Sequence, residues 1–119
     1  MPHFFLKLIG PRPTFAMDMN DAEKKLMHEH FLYWKARQDQ GEVLVFGPVL
    51  DPKGPYGMGV VTAADEAAAQ VFAADDPAMK ANVGFKCEIH SMRAVTRDEQ
   101  TSAVTRGEQT GAVTRDGQT

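Results

Sequence analysis

Residues 20–41 limit the possible folds more than any other stretch, because they form a long helix with both ends written into the sequence. Asn20 followed by Glu23 is a capping box, in which each side chain takes the other residue's free backbone donor. Gly41 stands where a helix closes in the left-handed conformation. A helix of this length in a small domain must bury an apolar stripe. At about 100° per residue, Leu26, Met27, Phe31 and Trp34 form that stripe. His30 falls inside it, between Leu26 and Trp34, and Tyr33 and Arg37 flank the same side. His28 falls on the opposite side, near Lys35, and is expected in solvent.

What surrounds the helix reads as strand. Residues 4–9 are apolar, and Gly10, Pro11 and Pro13 end the run by removing ladder donors. Residues 42–46 form a short β-branched run that Gly47 and Pro48 are expected to break. Residues 51–57 are turn chemistry throughout, and residues 58–62 form a third strand. An Ala-rich helix follows over 65–75. Asp76 and Pro77 read as N-cap and first residue of a further short helix reaching Asn82. In residues 84–93, Phe85, Cys87 and Ile89 alternate with Lys86, Glu88 and His90.

The order βαββαβ is the split βαβ, or ferredoxin-like, α+β arrangement, with helices over one face of a four-stranded antiparallel sheet. Strands two and three are apolar on both faces: Val43 and Val45 oppose Leu44 and Phe46, and Val60 opposes Val61. A sheet covered on one face alternates more cleanly. A homodimer packed sheet to sheet is therefore expected, with the tail as another way to cover that face.

The tail is a nine-residue repeat: AVTRDEQTS at 94–102, AVTRGEQTG at 103–111 and AVTRDGQT at 112–119. Each unit offers Val as its only sizeable apolar side chain, too little to offset the entropy of ordering. The chain thus divides into one domain over 1–97 and a polar tail over 98–119. Arg97, Arg106 and Arg115 are matched by four acids in the tail, so it is no basic arm for nucleic acid.

Net charge is −3 over 119 residues, which gives no field attractive to nucleic acid or an anionic membrane. No apolar run is long enough to span a bilayer, and the N-terminus has no signal-peptide order of basic, apolar and small residues. One cysteine, Cys87, excludes an internal disulfide and suits a reducing compartment. A cytoplasmic protein is expected. Cys87 itself is expected as inert packing on an inward strand face.

His30 admits two readings. It is either a hydrogen-bonded core histidine or a general acid/base at a pocket floor, oriented by a carboxylate. Asp51 and Asp76 are the candidate carboxylates; Asp51 sits in turn sequence, and Asp76 is a cap in either case. Tyr33, Trp34 and Arg37 would line the pocket, with Arg37 suited to an anionic group. His28 and His30 lack the i, i+4 spacing of helical metal ligands, and with His3 and His90 they make no zinc pattern. No glycine-rich loop joins a strand to a helix with phosphate-binding spacing. Neither a metal nor a cofactor is expected. The methionines, Met17, Met19, Met27 and Met92 among them, read as filler or pocket wall.

Taken in order, His30, Gly41, Gly47-Pro48, Asp51, the Ala-rich helix and Asp76-Pro77 make the chain resemble the YCII family from about residue 2 to 95. The resemblance implies a ferredoxin-like α+β protein that dimerises and a His–Asp pair at the active site, which here is His30 and Asp76. One family member is associated with dehydrochlorination of a chlorinated hydroxyhydroquinone. The resemblance implies an enzyme-like pocket and not a reaction; with the titratable ring on the apolar helix face, it leads to the expectation of a cofactor-independent lyase or isomerase acting on a small, aromatic or lactone-like compound. The alternatives are a non-catalytic small-molecule-binding dimer, or an assembly role for the tail. Residues 10–19 and the repeats depart from the family pattern.

Overall fold

The computed structural model describes residues 1–97; the repeat units beyond, with Arg106 and Arg115, lie outside the described residues. Strand β1 (His3–Ile9) alternates strictly, burying Phe4, Leu6 and Leu8. It leads past Pro11 and Pro13 into a short helix, α1 (Phe15–Asp18), which the sequence does not announce. The prolines precede the helix and leave its backbone free to turn. Phe15 anchors it by burying its ring edge-on to Phe85, with centroids 5.1 Å apart.

Helix α2 (Asp21–Asp39) starts in the expected capping box: Glu23 N donates to Asn20 Oδ1 at 2.8 Å, and Asn20 N donates to Glu23 Oε1 at 2.9 Å. Gly41 closes the turn beyond it at φ +86°. The next strand, β2 (Val43–Val49), runs through Gly47 and Pro48 instead of breaking at them. β2 lies at the sheet edge with only one paired side, so a missing N–H need not cost a ladder bond. A register irregularity between Val43 and Val45 twists its start.

β3 (Tyr56–Thr62) follows the turn, then α3 (Glu66–Ala74), capped by Asp65 through Ala68 N at 2.9 Å. α4 (Pro77–Lys80) is capped by Asp76 and ends two residues short of Asn82, the expected limit of the helix, which stands at φ +54°. β4 (Lys86–Met92) half-buries Cys87 and Ile89 and exposes the residues between them.

The strand order is β2-β3-β1-β4, antiparallel at every pairing. This is the ferredoxin-like α+β arrangement, with the helices on one face. The core lies between sheet and helices: Phe4, Leu6, Val43 and Val61 meet Trp34, Ala69, Phe72 and Ala73. On the other face Val45, Val60, Phe5 and His90 stand in one row across all four strands.

One close approach decides how α2 sits on the sheet. A Cβ built at Gly59 would overlap the six-membered ring of Trp34. Glycine at the middle of β3 therefore leaves the space that the indole fills. Phe72 packs edge-on to the indole at 4.8 Å, and Phe46 lies 5.7 Å away.

Candidate active site

The inward face of α2 and the cap of α4 meet at one carboxylate. Asp76 is the one buried charged residue among those described, with its side chain only 4% exposed. As the α4 N-cap it accepts Ala78 N on Oδ1 at 2.9 Å. That bond fixes the carboxylate plane and leaves Oδ2 aimed at α2. Oδ2 lies 2.7 Å from His30 Nδ1 and accepts Trp34 Nε1 at 2.8 Å. Burying this carboxylate would be costly unpaired; three donors offset the loss of water.

The contact assigns the histidine tautomer. A carboxylate offers only acceptors, so Nδ1 carries the proton and donates to Asp76. In the neutral ring Nε2 then carries the lone pair, on the edge away from Asp76. The imidazole is 18% exposed and borders a cavity of about 680 Å³. Its wall is mainly apolar, with Leu6, Leu8, Phe15, Met27, Trp34, Phe46 and Phe85 in it. Polar groups are few: His30, Asp76, Lys35, Gln38, Tyr56 and Cys87. Such a cavity can hold a small, mostly apolar molecule and present one titratable ring to it.

Of the residues singled out from sequence, His30, Asp76 and Trp34 come together at this floor. Tyr33, Arg37 and Asp51 do not line the cavity. Tyr33 donates its hydroxyl to Phe72 O at 2.7 Å, and burial pushes that phenol up to about 12. Arg37 pairs with Glu42 at 3.0 Å and stacks over Tyr33 and Phe72. Both side chains instead fasten α2 to α3 and to the start of β2. Asp51 folds its own turn, accepting Lys53 N at 2.9 Å.

The helical stripe placed His30 correctly but overstated Phe31, which is 48% exposed and rests on Phe46 at the cavity's border. His28 is exposed. Met19, Met27, Met58 and Met79 line the cavity, whereas Met17 is exposed. Cys87 lines it too, and burial raises its thiol to about 11, which suits packing better than nucleophilic attack. Among the described residues no three His, Cys, Asp or Glu side chains group as metal ligands, and no helix is long and apolar enough to cross a membrane.

The sequence reading missed Phe15, Phe46, Pro48, Tyr56 and Phe85 as cavity wall. They come from β2, β3 and segments around prolines and glycines that read only as turns and strand ends. It also missed the indole's hydrogen bond to Asp76. An apolar-stripe tryptophan does carry one signal, since a buried indole N–H needs an acceptor.

A family model described as the YCII-related domain matches residues 3–93. None of the curated proteins matches the chain in sequence. Among solved structures, the chain is similar to 5-chloro-2-hydroxyhydroquinone dehydrochlorinase from Burkholderia phenoliruptrix AC1100, solved in complex with 2,5-dihydroxybenzoquinone. The TM-score is 0.51 at 18% identity, over 71% of this chain and 90% of that one. At that identity the likeness speaks for the fold alone.

Proposed function

This chain belongs to the YCII-related domain family, and from that premise we propose that it is a cofactor-independent enzyme of lyase or isomerase type, acting on a small organic compound through His30 and Asp76. The observation that carries the reading is the 2.7 Å contact between His30 Nδ1 and Asp76 Oδ2 at the floor of a mostly apolar cavity.

The chemistry follows from the assigned tautomer. His30 Nε2 takes a proton from the bound compound, and the imidazolium that forms is held by the Asp76 carboxylate. In an isomerase the proton returns to a different atom of the same molecule. In a lyase the electron pair left behind expels a leaving group from the neighbouring atom, and Nε2 later gives its proton to solvent or product. The few polar groups in the wall favour an aromatic or lactone-like compound with one acidic proton. The dehydrochlorinase of similar fold, solved with a quinone, is compatible with that class.

The test is turnover by His30→Ala against a panel of substituted phenols and lactones. General acid–base loss predicts a fall of about 10²–10⁴-fold with circular dichroism unchanged. Full activity in the variant would refute the catalytic role. Tight binding by the unaltered protein without turnover anywhere in the panel would favour a binding module with the same cavity.

A further inference from the structure

We propose that Trp34 is a positioning residue for the His30–Asp76 pair, and that its indole N–H sets how strongly the carboxylate draws on the imidazole. Asp76 uses Oδ1 for its own helix cap, so the two α2 donors share one oxygen. Trp34 Nε1 reaches Oδ2 at 2.8 Å and His30 Nδ1 reaches it at 2.7 Å. The two rings sit one turn apart on the helix, with centroids 6.2 Å apart.

Each donor to Oδ2 withdraws part of the charge available to the other. With the indole in place, Asp76 orients the imidazole while its pull on an imidazolium is moderated. Without it, the whole of Oδ2 would serve His30, and the ring would hold its proton more tightly. A base that gives up its proton each cycle gains from this moderation. The space at Gly59 admits the indole against the sheet, and Phe72 packs edge-on to it.

Other charges facing His30 are few. The cavity's remaining titratable groups are Lys35 on the same helix, Tyr56 on β3 and Cys87 on β4. α4 contributes Asp76 and, outside the cavity wall, Lys80; β2 contributes none. Lys35 is paired with Asp39 at 2.9 Å. Asp76 is the one group among these in contact with the ring, so a change in its hydrogen bonding should dominate any shift.

This inference rests on the catalytic reading for its meaning but not for its readout. Trp34 is the chain's single tryptophan, so its indole N–H gives one resonance in a nitrogen-15 spectrum. In the unaltered full-length protein that resonance should move with pH along the same curve as the His30 ring carbons. The step should vanish in His30→Gln. In Trp34→Phe, the His30 midpoint should move to higher pH, about a threefold gain in proton affinity. An indole shift that stays flat through the His30 titration overturns the proposal, whether or not Trp34→Phe folds. That result would leave the catalytic reading standing. Conversely, full turnover by His30→Ala would sink the catalytic reading and leave the coupling measurable.

Discussion

Three side chains and one absent side chain make the site. His30 and Trp34 supply donors, Asp76 supplies the acceptor, and Gly59 supplies room for the indole. The glycine gives a prediction of its own. Gly59→Ala would drive a methyl group into the Trp34 ring, and neither the ring nor the strand backbone is the free end of a flexible chain. Overpacking of this kind costs about 1–3 kcal/mol. The urea midpoint should fall accordingly, with the intrinsic tryptophan emission altered as the indole leaves Asp76. A variant with unchanged midpoint and emission would mean that α2 can rise off the sheet at no cost. From sequence, His30 was legible because helical periodicity puts it among apolar neighbours. Gly59 was not, since a glycine in a strand marks some close approach without naming the partner.

Helices and their caps carry the site into position. α2 is secured at its start by Arg12, which donates to Glu23 Oε2 at 2.7 Å and to Asp18 Oδ1 at 2.8 Å. This network ties α1, and with it the Phe15 wall of the cavity, to the first turn of α2. The hydrogen bond from Arg12 holds the Glu23 carboxyl down to about 2, and the same guanidinium holds Asp18 below the usual range. For carboxyls depressed in the folded state, the stabilisation is present above their ordinary range of about 4–4.5 and is lost as pH falls toward 2. The melting temperature should drop over that interval, and the drop should be shallower in Arg12→Ala. Equal acid profiles in the two proteins would show that the network does not hold the segment. The capping box was legible because it is a local pattern four residues long. The Arg12 bonds were not, since they join residues on opposite sides of a turn whose path the prolines hide.

At the scale of the molecule, the helices cover one sheet face and leave the other to be explained. Val45, Val60 and Phe5 share a row on that face, and Val45 is half exposed. We propose that a second copy covers it. Light scattering should then report twice the 13.1 kDa chain mass, and Val45→Lys should shift the mass toward the monomer. A monomeric unaltered protein would refute the pairing. A chain ending at residue 97 should keep the dimer; its loss there would give the covering role to residues 98–119 instead.

The sequence by itself determined what is local or periodic. The capping box of α2, the αL glycine after it, the cap at Asp76 and the alternation of β4 all follow from neighbours within a turn or two. Their order was enough for the βαββαβ topology, and the ordered motifs were enough for the family. Only the tertiary structure decided the site. It carried Asp76 across 46 positions to His30, put the indole on the same oxygen, and turned Tyr33 and Arg37 away from the cavity toward α3 and β2. It also kept β2 intact through Pro48, because an edge strand has an unpaired side. The physical reason is common to all of these. Periodicity fixes which way a side chain leaves its own element, but what it meets depends on how separate elements pack. That packing is set by volumes, such as the space at Gly59, for which the chain has no local signature.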